Sequence, residues 1–202
     1  MKPTLSLVGI FMTLSLCSFV TLKSIAEEQV AVFAGGCFWC TESDFEKLDG
    51  VVSAASGYIG GHIKNPSYKQ VSAGGSGHTE AVQVIFDDQK VSYSDLVEYF
   101  WKTIDPTDGG GQFCDRGQQY RSEIFYLSEE QHSIAKASKK ALANSGLLKS
   151  EIATQLTPSS RFYLAEDYHQ DYYLKNPVRY NYYRWGCGRE KRLEALWGAV
   201  TK

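Results

Sequence analysis

Cys37-Phe38-Trp39-Cys40 is the stretch of this chain best equipped to do chemistry. A strand-like run over residues 29–33 stops at Gly35-Gly36, and Phe38, Thr41, Phe45 and Leu48 then fall on one helical face. Cys37 is therefore placed at or near a helix N-terminus. Unpaired backbone N–H groups and the dipole there favour a thiolate, the reactive form of cysteine. The plain alternative is a buried cysteine in a strand-to-helix turn, since free cysteine is among the most buried residue types. Two glycines, two aromatics and two cysteines within six residues favour a catalytic thiol.

Glu80 is the second candidate. In the strand-like run over residues 79–87, a period of two puts it on the face shared by Val82, Val84 and Phe86. That apolar face belongs to the core, so the carboxyl is at least partly desolvated and its pKa should rise. A glutamate at a strand end reads equally well as a solvated side chain, but the preceding Gly74-Gly75-Ser76-Gly77-His78 loop favours a functional site. A further glycine-rich loop, Asp108 to Gly117, has the look of a turn that brings backbone close to a ligand. Taken singly, Asp115 and Arg116 read as a solvated ion pair, and Tyr68 and Tyr120 as half-buried aromatics.

The elements that must hold these groups form one domain. Lys2, an almost uncharged run from Leu5 to Leu22 and the small-x-small site Ser24-Ile25-Ala26 make residues 1–26 an export signal. The lipid-anchor alternative at Cys17 is rejected, because Leu16 stands where a small residue is wanted. Residues 27–202 then form the functional domain, exported and periplasmic. Losing Lys2 and Lys23 takes the net charge from −2 to −4. No basic stripe survives, which argues against nucleic acid as a partner. Four cysteines remain, Cys37, Cys40, Cys114 and Cys187, and their glycine, aromatic and charged neighbours suit redox chemistry better than cross-linking. Strand-like segments fall at 29–34, 51–58, 79–87, 122–127 and 151–156; helical patterns fall at 37–49, 93–103, 129–145 and 191–198. Ser128, before Glu129-Glu130-Gln131, is the expected cap of the third helix. Strands and helices that mix without strict alternation predict an α+β fold, a mixed, partly antiparallel sheet with packed helices. Residues 57–78 and 105–119 read as long functional loops. Residues 157–190 read as surface coil with short helical turns.

Read together, these residues resemble a family. Gly36-Cys37-Phe38-Trp39, Gly57-Tyr58, Asn65-Pro66-Ser67-Tyr68, Gly77-His78-Thr79-Glu80-Ala81, Phe100-Trp101, Asp105-Pro106 and the run from Asp115 to Ser122 are similar to the motifs of the A-type peptide-methionine (S)-S-oxide reductases. Glu166-Asp167-Tyr168-His169-Gln170 and Asn176-Pro177 look like that family's later motif. The similarity runs in order from about Val32 to Trp197. It implies the family's α/β plait and thiol-dependent reduction of methionine sulfoxide, free or in oxidised proteins. Cys37 matches the nucleophile, and Phe38 and Trp39 match the wall that receives the substrate methyl. Glu80, Tyr68 and Tyr120 match the set that binds and protonates the sulfoxide oxygen, with Asp115 organising the pocket. No cofactor or metal is implied, only an external dithiol such as thioredoxin. A monomer is expected. The chemistry agrees, because a sulfoxide oxygen departs poorly unless protonated and a neutral buried carboxyl can act as the acid. His78 is expected to be a structural hydrogen-bonder.

The sulfenic acid left on Cys37 must be resolved by another thiol. Many relatives have glycine at the position of Cys40 and use cysteines of a glycine-rich tail, which residues up to Lys202 do not provide. Cys40 lies one helical turn from Cys37, with about 5–6 Å between Cβ atoms, and is the expected resolving cysteine. Cys187, between two glycines, is its rival, and Cys114 ranks third. Two other classes compete. A thioredoxin-like oxidoreductase would explain the Cys37/Cys40 pair but finds no obvious proline partner. A zinc-binding module would need a second Cys-x-x-Cys, which the sequence lacks.

Overall fold

The strand before the reactive turn forms as β1 (Glu28–Gly35), and two glycines carry it into α1 (Phe38–Phe45). β2 (Val51–Ile59), α2 (Tyr68–Ser72), β3 (Thr79–Asp87) and α3 (Tyr93–Thr103) follow. A small ribbon, β4 (Gly111–Gln112) and β5 (Asp115–Arg116), leads to a 3-10 turn (Gln118–Tyr120), β6 (Ser122–Tyr126) and α4 (Glu129–Asn144). The chain then forms β7 (Gln155–Pro158), β8 (Tyr163–Leu164), α5 (Tyr172–Lys175), α6 (Pro177–Gly186) and α7 (Arg189–Trp197). This computed structural model describes residues 28–198; the expected export signal lies outside the described residues.

The main sheet has the order β7-β6-β1-β3-β2-β8. All neighbours are antiparallel except β6 and β7, so the expected mixed α+β sheet is present. Alternation along the strands sorts side chains between its faces. Ala31, Phe33, Val82, Val84, Phe86 and Ile124 face α1, α3 and α4. Val32, Ala34, Ile59, Ala81 and Phe125 form a smaller cluster on the other face. Phe33 anchors the helical side, with its ring 4.8 Å from that of Phe45 and 5.0 Å from that of Phe100. Burying one such aromatic contributes up to about 3 kcal/mol.

Helix starts follow their caps. Ser92 accepts from the Asp95 N–H while its own N–H donates to the Asp95 carboxylate, a reciprocal box that opens α3. Ser128 accepts from the Gln131 N–H and opens α4 as expected.

Some segments differ from the sequence expectation. The strand expected at 151–156 begins only at Gln155, because the N–H groups of Ala153 and Thr154 both donate to the Pro106 carbonyl. The pattern read as a helix over 37–49 ends at Phe45; Leu48 N–H then bonds Phe45 O in a tight turn toward β2. The segment 157–190 is more ordered than expected, since it holds β8 and the ten-residue α6. Pro177 in the first turn of α6 was the available signal. Finally, Cys114 and Cys187 are joined as a disulfide across 73 residues, a pairing that the sequence reading did not make. The ribbon and the end of α6 bring their Cα atoms to 4.9 Å, a bridgeable separation.

Candidate active site

The site is built around the turn between β1 and α1. Gly36 has φ +85°, and a Cβ there would fall 2.6 Å from Gln112 Cβ, so only glycine lets the two backbones approach. Gln112 is buried and fixed, donating to Asp105 O and accepting from Asp105 N–H, both at 2.8 Å. Cys37 is the N-cap of α1 and makes no side-chain capping bond. The first free helical N–H, that of Phe38, donates instead to Glu80 Oε2 at 3.0 Å.

Glu80 lies where the alternation argument placed it, opposite Tyr58 on β2 and on the face of Val82, Val84 and Phe86. Only 2 % of it is exposed. Burial pushes its pKa up to about 8, the Phe38 N–H opposes the rise, and the charges of Asp115 and Cys40 add to it. The expected desolvated acid is therefore present.

Cys37, Phe38, Trp39, Tyr68, Glu80, Asp115, Tyr120 and Tyr183 line one cavity of about 70 Å³. Seven of these are the residues singled out from the sequence. Each is held by a local device. Ser67 caps α2 and sets Tyr68, whose N–H donates to Glu166 Oε1 at 2.9 Å. Thr79 Oγ1 donates to Gln119 O at 3.1 Å, tying the turn that carries Tyr120 to the start of β3. Burial raises the pKa of Tyr68 to about 12 and raises that of Tyr120 as well, so both hydroxyls keep their protons as donors. Trp39 stacks on Tyr172 at 3.8 Å and donates to His169 Nδ1 at 3.0 Å, which fixes the indole as a wall. Asp115 does not pair with Arg116, which binds Asp108; it turns inward to accept from the Tyr183 hydroxyl at 2.5 Å. Burial raises its pKa, against the Tyr183 bond and the charge of Arg189. His78 bonds Gly61 N–H and Ile63 O, the structural part expected for it.

The resting state of the thiols differs from expectation. Cys37 and Cys40 are both free and buried. Burial raises the Cys37 pKa well above its ordinary value; its hydrogen bond to Cys40 and the charges of Cys40, Glu80 and Asp115 raise it further. Cys37 thus rests as a thiol, not the thiolate expected from its helix position. The helix-end N–H that would have favoured an anion is occupied by Glu80. Cys40 is shifted down, first because it accepts the Cys37 hydrogen bond, and further by the charges of Arg189 and Arg184.

Residues that sequence reasoning left without a role complete the site. Tyr183, from the tyrosine-dense stretch, reaches both Asp115 and Cys37. Glu166 and Gln170 tie the later motif to β2, through Tyr58 Oη at 2.8 Å and Ser56 N–H at 2.9 Å. The later motif was visible as a resemblance, but nothing in its pattern pointed to these partners. A larger groove of about 760 Å³ runs between Asp44, Lys102, Arg184 and Glu194. It contains neither thiol nor Glu80; Cys37 and Glu80 both line the smaller cavity.

A buried dithiol facing a protonated carboxyl, on a mixed sheet covered by helices, defines a thiol-dependent oxidoreductase. The family model for peptide methionine sulfoxide reductase matches residues 29–201, and the chain belongs to that family. A peptide methionine sulfoxide reductase MsrA of Bacillus licheniformis is 49% identical over 172 residues, covering 85% of this chain and 95% of its own. The MsrA/MsrB protein of Vibrio cholerae is 49% identical over 203 residues; the match covers 98% of this chain, which spans about half (53%) of that protein's length. The crystal structure of reduced Mxr1 from Saccharomyces cerevisiae superposes with a TM-score of 0.68 at 33% identity, covering 75% of this chain and 87% of that one. The reaction is the reduction of methionine sulfoxide to methionine. The thioredoxin-like and zinc-module readings are set aside by this membership.

Proposed function

We propose that Cys37 attacks the sulfur of (S)-methionine sulfoxide while Glu80 protonates the departing oxygen. The observation that carries this reading is the meeting of the Cys37 thiol and a carboxyl with a pKa of about 8 in one small cavity. Phe38 and Trp39 form the apolar wall for the substrate methyl, and the Tyr68 and Tyr120 hydroxyls donate to the sulfoxide oxygen. Asp115, held by Tyr183, organises the pocket floor. Because these groups fix methyl, oxygen and chain on different sides of a chiral sulfur, the S epimer fits and the R epimer does not.

At neutral pH Glu80 carries a proton and Cys37 does too. As Glu80 gives its proton to the sulfoxide oxygen it becomes the base that can take the proton leaving Cys37. The oxygen ends on Cys37 as a sulfenic acid and methionine leaves. Cys40 then attacks the Cys37 sulfur, forming the Cys37–Cys40 disulfide and releasing water. Its lowered pKa supports its role as the resolving thiolate. An external dithiol of the thioredoxin kind restores the thiols, and no prosthetic group or metal takes part. Oxidised proteins and free methionine sulfoxide are the substrates of a monomeric enzyme.

Rapid-quench measurement on the reduced protein tests the assignment: one methionine should form for each Cys37 oxygenated. Methionine formed by a Cys37→Ser protein would overturn it. The sequence pattern of residues 1–26 further supports export to the periplasm, so the mature chain should begin near Glu27. N-terminal sequencing of an osmotic-shock fraction checks this; Met1 in a cytosolic fraction would refute it.

A further inference from the structure

Two arginines of the C-terminal helices enter the core behind α1. Arg184 of α6 donates to Asp44 Oδ1 at 2.7 Å and to Tyr180 Oη at 2.9 Å, and its Nε donates to Glu190. Arg189 of α7 lies deeper, with 2 % of its side chain exposed. Its Nη2 donates to Thr103 O at 2.8 Å, weaker contacts reach Gly35 O, and its guanidinium lies over the Phe113 ring. Every one of these partners is neutral. Among the described residues, the one ion-pair partner of Arg189 is Asp44, 3.7 Å from Nη2 and already bonded to Arg184. Arg189 Nε and Asp44 Oδ2 are buried without a hydrogen-bond partner among those residues.

Charge is therefore out of balance in this part of the core. A buried guanidinium cannot shed its proton and needs an anion close by. Arg184 has two carboxylates, those of Asp44 and Glu190, whereas Arg189 shares the first of them. An ionisable sulfur lies in the same packing. Cys40 stands one helical turn before Asp44 on α1 and is buried among Cys37, Tyr172 and Tyr180. Tyr180 in turn accepts from Arg184, so the sulfur and the arginines share one cluster. Burial keeps the Cys37 thiol and the Tyr180 and Tyr183 hydroxyls protonated at neutral pH, and Glu80 on β3 holds its proton to about pH 8. Cys40 is left as the group that can supply the anion. The Cys37 hydrogen bond lowers its pKa, burial opposes this, and the charges of Arg189 and then Arg184 lower it further against that of Asp44.

We propose that Arg189 is a positioning residue for the resolving step, its buried guanidinium serving as the counter-ion that holds Cys40 as a thiolate ready to attack Cys37. This inference rests on the reading of Cys40 as the resolving cysteine. Once Cys37 carries the oxygen, the Cys40 sulfur bonds to the Cys37 sulfur and the S–O bond breaks. The oxygen leaves as water, taking a proton from Glu80, which regained one from Cys37 in the first step. Cys40 is oxidised and the sulfenic sulfur of Cys37 is reduced. Arg189 exchanges no proton and acts through charge alone. It also clamps the turn before Cys37 through Gly35 O, so charge and clamp must be separated.

Cys17→Ser/Cys37→Ser protein with the Cys114–Cys187 bond intact has Cys40 as its one free thiol, and the serine hydroxyl at the nucleophile position can still donate to it. Ultraviolet thiolate absorbance then titrates Cys40 alone. Adding Arg189→Gln should raise the midpoint by at least ~1 pH unit, and Arg189→Lys should recover it. Asp44→Asn, which frees guanidinium charge for the sulfur, should move the midpoint down. Rapid quench on the same substitutions in otherwise wild-type protein separates the two steps. At a pH below the midpoints, Arg189→Gln should slow Cys37–Cys40 bond formation at least ~3-fold, since tenfold less thiolate is partly offset by its greater nucleophilicity. Methionine formation should keep its wild-type pH dependence. An unmoved midpoint in Arg189→Gln, or an upward shift in both Arg189→Gln and Asp44→Asn, would overturn the counter-ion and leave Arg189 a clamp. If Arg189→Gln fails to fold, Asp44→Asn decides alone: a lower midpoint supports the charge balance, and an unchanged or higher one overturns it. Methionine formed by the wild type with no Cys37–Cys40 bond, whatever the midpoints, would break the underlying reading of Cys40 and this inference with it.

Discussion

Replacing Glu80 by Gln removes a transferable proton and leaves the shape of the cavity. A Gln oxygen can still accept from Phe38 N–H, the one hydrogen bond that holds the Glu80 side chain. With a pKa of about 8, Glu80 is about nine-tenths protonated at pH 7, so nearly every wild-type molecule carries the acid. The variant should form the Cys37 sulfenic acid at least ~100-fold more slowly, the usual scale for general acid catalysis. The wild-type single-turnover rate should fall as pH rises through about 8, where Glu80 loses its proton, and the variant should lack that limb. Stability should follow the same proton. The folded carboxyl holds it to about pH 8, whereas in the unfolded chain it is lost near the ordinary value of 4.5. The contribution is therefore full below about 4.5 and lost as pH rises through about 8, by a few kcal/mol in all. Urea melts of both proteins at pH 5 and pH 9 should show the wild type losing ground to the variant at the higher pH. Alkylation of Cys37 by a neutral reagent is the control, since it needs no proton on a leaving oxygen. It should be unchanged, or faster above pH 8, where the Glu80 charge no longer opposes the thiolate. If Glu80→Gln slows alkylation and sulfenic acid formation equally, Glu80 shapes the pocket and is not the acid.

Other expected outcomes are simpler to state. Cys37→Ser should abolish reduction, whereas Cys40→Ser should complete about one turnover and then stall with thioredoxin as reductant; full turnover would remove Cys40 from the cycle. Separated epimers should differ completely, with the S sulfoxide consumed and the R sulfoxide left after the same time; comparable rates would contradict the assigned methyl and oxygen sides. Phe33→Ala should cost about 3–5 kcal/mol in urea unfolding, because its ring is fully buried between Phe45 and Phe100; a loss under about 1 kcal/mol would mean the core collapses around the gap.

Much of the site was legible because local rules place it. Two glycines and a cysteine before an amphipathic run locate the turn, and strict alternation puts Glu80 among Val82, Val84 and Phe86. α3 follows its pattern from Tyr93 to Thr103 because cap, apolar face and end agree. Tyr183 escaped notice, and His169 was seen only within a motif and given no role, because the stretch around them has aromatics on both the buried and the exposed sides. On α6, Tyr180 is buried while Tyr182 and Trp185 face solvent, so no periodicity marks the face that matters. The Cys114–Cys187 bond joins segments 73 residues apart, which spacing cannot forecast. The state of Cys37 was misread for a physical reason: its helix position favours an anion, but burial and two nearby acids act against it and are visible only in three dimensions.

On the proposed mechanism the sulfoxide oxygen is transferred to Cys37 and to no other group. Giving Cys40→Ser protein one equivalent of (S)-methionine sulfoxide, trapping with a sulfenic-acid reagent and mapping the adduct by mass spectrometry tests this most directly. One adduct, at Cys37, should form in step with the methionine released. Methionine released with Cys37 still a thiol, or with the adduct on Cys114 or Cys187, would contradict it.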